Sequence, residues 1–180
     1  MTSSTPTSYT KIAIALHWLI ALLIFANVAI GLYMESFAKG TPERDNALFF
    51  HASFGSLIFM VAVLRWAWRL THRPPALPAA IPSWQQTASH ALHWTLYILM
   101  LVVPLSGYVH RLAGAHPVNF FGLGDLPVFI GKNEPLRVLT DTLHEALVWV
   151  LVILIVGHIG AALKHRFGDR DGVLQRMLPT

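Results

Sequence analysis

Four apolar runs divide the chain, at roughly 12–34, 47–70, 90–110 and 141–163. Each is long enough to cross a hydrocarbon layer of roughly 30 Å as a helix, which takes about 20 residues. Hydrophobic residues are 54% of the 180 and charged ones 12%, a balance far from that of a water-soluble domain. The fold class expected is therefore all-α: an integral membrane four-helix bundle, formed as one domain over residues 1–180. The first run outlasts the short apolar core of a secretion signal and is followed by no A-x-A cleavage site, so it is expected to remain in the mature protein.

The connections carry loop punctuation. They are Lys39-Gly-Thr-Pro42, a proline-rich link from Pro74 to Pro82, and a longer glycine- and proline-rich stretch, 114–135. In the last, Asn119-Phe-Phe-Gly-Leu-Gly-Asp-Leu-Pro127 is expected at the membrane surface with its aromatics in the interface. No internal repeat or low-complexity segment is evident.

The net charge of +4 does not point to nucleic acid, because the basic residues form neither a run nor a patch interleaved with aromatics. They stand at the ends of the apolar runs. Eight (Lys11, Arg65, Arg69, Arg73, Lys164, Arg166, Arg170 and Arg176) fall on the side shared by both termini, and five (Lys39, Arg44, Arg111, Lys132 and Arg137) on the other. Two carboxylates, Asp169 and Asp171, accompany the first set and seven the second. The positive-inside rule then places both termini in the cytoplasm, N-in and C-in.

The absence of cysteine excludes disulfides, thiolate metal sites, iron–sulfur clusters and haem attachment through CxxCH. Histidine is plentiful instead, with ten copies. Several lie inside apolar runs, where an unpaired polar ring is costly.

Their depths match. His144 and His158 are fourteen residues apart, which at about 100° per residue returns them to one face of the fourth helix, about 21 Å apart along its axis. His17 lies just inside the cytoplasmic end of the first helix, level with His158, and His51 just inside the outer end of the second, level with His144. Two facing pairs, one per leaflet, suit two b-type haems stacked across the bilayer, because neutral imidazoles bind haem iron well and a pair of them leaves no open position. Such centres shuttle electrons and divide the crossing into short hops. Gly55, Gly157 and Gly160 beside these histidines would let a bulky planar group approach. Arg65 and Arg69 could pair with haem propionates, and His93, with His90 at the start of the third helix, could contact a propionate or replace a ligand. His165, two turns beyond His158, stands where a proton donor to a reduced quinone would. His72, His110 and His116 read as loop or helix-end residues.

Several short motifs, in order, carry a resemblance: Ala15-Leu-His17-Trp, His51-Ala-Ser-Phe-Gly, Leu64-Arg-Trp-Ala-Trp-Arg69, and His90-Ala-Leu-His93-Trp-Thr-Leu-Tyr with Pro104 and Gly107. They continue with Leu143-His-Glu145, Gly157-His158, Leu163-Lys-His165 and the tail Arg170-Asp-Gly-Val-Leu-Gln-Arg-Met-Leu-Pro179. Together they resemble the bacterial cytochrome b561 family of di-haem membrane proteins, nearly end to end. The resemblance implies two haems b per chain, one ligated by His17 and His158 and the other by His51 and His144. It implies an oxidoreductase of the bacterial inner membrane that moves electrons from an outer donor, superoxide foremost, to ubiquinone near the inner haem, with His165 as a quinone contact.

Two other readings share the histidines. A haem b membrane anchor would collect electrons from a partner dehydrogenase or hydrogenase. A metal-ion transporter would need histidine or acidic ligands near the bilayer midplane, and the helix centres around Val28, Phe59, Met100 and Val152 are apolar. A redox sensor would need an output domain for which this reading leaves no residues.

Overall fold

The computed structural model describes residues 8–179; the first seven residues and Thr180 of the expected 1–180 domain lie outside the described residues. Its four long helices are α1 (Lys11–Glu35), α2 (Pro42–Thr71), α3 (Ser83–Ala113) and α4 (Glu134–Leu163). All four are long and apolar enough to cross a membrane. Beyond α4 the backbone widens into one π-helical turn, Lys164–Asp169, and a 3₁₀ turn, Leu174–Met177, closes the tail.

α2 and α4 outrun their apolar segments because polar caps start them earlier. The Thr41 side chain accepts the N–H of Arg44 ahead of Pro42, with Glu43 and Asp45 in the first turn of α2. Asn133 likewise accepts the N–H of Leu136 ahead of Glu134. Such oxygens satisfy amides that a helix start leaves unpaired, and first-turn carboxylates complement its dipole.

The helices alternate in direction. At the basal end α1 and α3 begin and α2 and α4 finish; the opposite end is called distal. One cluster packs Ile20, Leu23 and Ile24 of α1 on Ile58, Val61 and Ala62 of α2, and a second packs Leu99 and Val103 of α3 on Leu151 of α4. Other large apolar side chains point outward, among them Leu22 at 68% exposure and Ile153 at 66%. Water would not tolerate such a surface, whereas lipid does. The centre of α1 is not wholly apolar: Asn27 is buried there and its Oδ1 has no hydrogen-bond partner.

Polar staples fix the ends. At the basal end the Trp68 indole donates to Thr10 Oγ1 at 2.9 Å and Arg65 to the Ala13 carbonyl at 2.7 Å. The tail is clamped by the Trp18 indole on the Met177 carbonyl at 2.8 Å and by Arg176 on the Ala76 carbonyl at 2.6 Å. At the distal end Arg44 donates to the carbonyls of Met34 and Phe37 and pairs with Glu35. His110, expected only as a helix-end residue, donates Nδ1–H to the Arg137 carbonyl at 3.1 Å and so ties α3 to α4. His72 stacks on Trp68, with centroids 3.8 Å apart.

The long loop between α3 and α4 folds over the distal end. Ser53 of α2, fully buried, donates to the Asn119 carbonyl at 3.0 Å and accepts from the Phe121 N–H at 3.2 Å. Phe121 therefore turns inward, its ring 5.1 Å from that of Phe54, while Leu123 and Phe129 stay exposed. Phe121 thus departs from the surface-lying arrangement expected for the aromatics of Asn119–Pro127. Ser53→Ala strands both loop groups and should cost about 1–3 kcal/mol. Limited proteolysis in detergent should cut residues 114–133 faster than in the unaltered protein; equal rates would show that Ser53 does not hold the loop.

Candidate cofactor site

α1 packs closely on α2, α2 on α3 and α3 on α4; α4 makes no comparably close backbone approach to α1 or α2. Histidines reach across this wider interface. The rings of His17 (α1) and His158 (α4) have centroids 6.2 Å apart at an interplanar angle of 70°. Those of His51 (α2) and His144 (α4) stand 6.1 Å apart at 89°. Along α4 the two pairs are separated by about 21 Å, at about 1.5 Å per residue.

These separations can be tested against a metal between the rings. A metal–imidazole bond is about 2 Å and a ring nitrogen lies roughly 1 Å from its centroid, so two rings on opposite sides of one ion have centroids roughly 6 Å apart. Both pairs fit. In direct contact, by contrast, two rings would stack or meet edge to face within about 4.5–7 Å, so spacing alone does not decide. The ring nitrogens add the second criterion.

At the distal pair, His51 Nδ1 lies 3.2 Å from the Asn27 carbonyl, and His144 Nδ1 lies 3.0 Å from the Val103 carbonyl and 3.0 Å from Ser106 Oγ. A carbonyl only accepts, so each Nδ1 carries the proton and each Nε2 keeps its lone pair. Metal-binding histidines are oriented in this way. Glycines make room for both rings. A Cβ on Gly107 would stand 3.0 Å from His144 Cε1, and one on Gly31 would stand 3.2 Å from His51 Cε1.

The expected glycines behave differently. A Cβ on Gly55 would make only ordinary contact with Asn27, and at Gly157 and Gly160 it would meet no protein atom within 4 Å. No protein packing therefore requires glycine at the last two positions.

The basal pair is furnished differently. Arg65 holds one guanidinium nitrogen 3.5 Å from His17 Nδ1 and lies over the Tyr97 ring, 5.6 Å from its centroid. Arg69 joins Arg65, Tyr9, Thr10 and Tyr97 around a narrow cleft. Burial pushes the Tyr9 phenol above its ordinary pKa, with Arg69 the main opposing influence. Tyr9 therefore stays a protonated donor at neutral pH. Of the two arginines read from the sequence, Arg65 thus stands beside the His17 ring, and Arg69 lines the adjoining cleft.

A third ring joins this end. His93 of α3 lies 5.3 Å from His158, and its Nδ1 donates to the Ser89 carbonyl at 2.7 Å. That separation is short for rings flanking one metal, and His17 keeps the better spacing. His90 is exposed. His165 stands apart, in the π-helical turn, with Nδ1 2.6 Å from Asp171 Oδ2 and 3.2 Å from Asp169 Oδ2.

Residues 8–180 match the family described as prokaryotic cytochrome b561. The chain belongs to that family. Cytochrome b561 homolog 2 of Escherichia coli (strain K12) is 35% identical over 177 residues, covering 98% of this chain and 94% of the relative. Cytochrome b561 homolog 1 of the same strain is 28% identical, covering 95% and 97%. A probable superoxide oxidase, CybB, of Yersinia pestis is 27% identical, covering 95% and 96%. Cytochrome b561 membership makes the chain a multi-pass bacterial membrane cytochrome with b-type haem and an electron-transfer role.

Alanine at His17, His51, His144 or His158 should each abolish binding of one haem, and His93→Ala should not. Pyridine haemochrome counts on the purified variants check this. Full haem content in two of the four alanine variants would contradict the pairing.

Proposed function

We propose that His17 with His158, and His51 with His144, ligate two haems b, and that the chain carries electrons across the bacterial inner membrane from an outer donor to ubiquinone. The proposed orientation keeps both termini cytoplasmic, so the distal pair faces outward and the basal pair inward. The observation that carries this reading is the recurrence of one spacing, 6.2 and 6.1 Å, at two histidine pairs near opposite ends of the same wide interface. Haem iron held between two imidazoles gains and loses single electrons without offering an open coordination position.

The protein's groups favour inward flow. At the distal pair, each Nδ1–H donated to a carbonyl makes its ring a stronger electron donor, which stabilises oxidised iron. At the basal pair, the Arg65 charge beside His17 favours an added electron. Arg65 and Arg69 are the proposed propionate contacts, with His93 beside them. His165 is the proposed quinone contact at the inner surface.

Superoxide is the favoured donor, supported by the relative named as a probable superoxide oxidase. On the distal end Arg44 is paired with Glu35 and Arg137 with Glu134, which leaves Lys39, Arg111 and Lys132 to attract an anion. The test uses the purified holoprotein in lipid vesicles containing ubiquinone, with superoxide generated outside. Reduction of the haem absorbance, followed by reoxidation only when ubiquinone is present, is expected. Haem that superoxide leaves oxidised while a quinol reduces it would refute superoxide as donor.

A further inference from the structure

The tail after α4 does more than finish the chain. Arg170 and Gly172 both adopt left-handed backbone, with φ of 53° and 79°, and between them Asp171 is folded back onto the π-helical turn. Asp171 Oδ2 meets His165 Nδ1 at 2.6 Å, and its Oδ1 accepts the N–H of Val173 at 3.1 Å. Both side chains are largely shielded, at 18% exposure for His165 and 15% for Asp171. The tail that carries Asp171 is fastened at Met177 by Trp18, the neighbour of His17, and at Arg176 by the Ala76 carbonyl.

Two carboxylates approach His165, and they are not equivalent. Asp169 lies farther from the ring, at 3.2 Å, is more exposed, and is paired with Lys164 at 2.5 Å. Asp171 makes the short contact. Of the neighbouring charges, Arg176 is turned to Ala76, and the α1 group that meets the tail is the uncharged Trp18 indole.

We infer that Asp171 is the positioning residue for proton delivery to ubiquinone. It fixes His165 in the tautomer with Nδ1 protonated toward the carboxylate, and it stabilises the doubly protonated ring whose Nε2–H is given up. The inference rests on the quinone reading of His165 above. Reduction of one ubiquinone takes two electrons, supplied singly as two superoxide ions become two molecules of oxygen, and two protons. His165 Nε2–H gives one proton to a quinone oxygen and is replenished from the inner aqueous phase, which also supplies the second. Asp171 remains a carboxylate throughout, as the acid of a carboxylate–histidine pair does in hydrolases.

The experiment compares Asp171→Asn, Asp171→Glu, His165→Ala and the double variant Asp171→Asn/His165→Ala in ubiquinone-containing vesicles. Asparagine keeps an oxygen for the Val173 amide, so the turn can persist. Haem content and haem reduction by superoxide should match the unaltered protein. Reoxidation of haem by ubiquinone should slow roughly 10–100-fold in Asp171→Asn, with a changed pH profile. Asp171→Glu should recover most of the rate, and the double variant should be no slower than His165→Ala, as residues acting in one unit are non-additive. A normal rate and pH profile in Asp171→Asn beside a slow His165→Ala would overturn the inference and leave the quinone reading intact. A normal rate in His165→Ala would overturn both. Equal slowing in Asp171→Asn and Asp171→Glu with an unchanged pH profile would reduce Asp171 to a structural role and overturn the inference.

Discussion

An imidazole inside a lipid-spanning bundle must have both ring nitrogens accounted for, because hydrocarbon offers no water to either. Much of this structure follows from that requirement. At the distal pair the backbone takes one nitrogen of each ring, through the carbonyls of Asn27 and Val103, and turns the other toward the facing helix. Gly31 and Gly107 then serve the rings by leaving them space. The freed nitrogens turn toward the wider interface of α4 with α1 and α2, where the proposed haems would sit.

The two ends of the bundle differ in charge. The distal rings lean on neutral carbonyls, and the basal end gathers arginine, tyrosine and a third histidine. In the proposed function that asymmetry would give an electron a preferred end without any moving part. It also concentrates proton-handling groups, His165 and Asp171 among them, at the end where a reduced quinone would need protons. The tail is held at this end by the indole of Trp18, next in sequence to His17, and by Arg176 on the Ala76 carbonyl.

Much of this was legible in the sequence, and the exceptions have physical reasons. Apolar runs of membrane-spanning length define the four helices, since side-chain chemistry alone sets that signal. The structure brings together the histidines that share a depth, because a fourteen-residue interval keeps His144 and His158 on one face of α4. What sequence could not supply were the partners of Nδ1, since every residue owns a carbonyl and only folding chooses the one that faces a ring. Gly31 was missed for the same reason: it lies on α1, twenty positions from the histidine it accommodates on α2. Asn27 was passed over because one polar residue scarcely alters a run of apolar neighbours. Asp171 looked like an ordinary tail charge, and only the two left-handed residues around it turn it back onto His165. Ser53 sat inside a recognised motif, but its grip on a loop 66 residues away depends on the tertiary fold.

The central claim is that one chain holds two haems, each between two histidines. Its most direct test is a pyridine haemochrome count on the detergent-purified protein, taken with a reduced-minus-oxidised spectrum. Two b-type haems per chain, both low-spin, are predicted. A single haem, or a folded protein without any, would contradict the account.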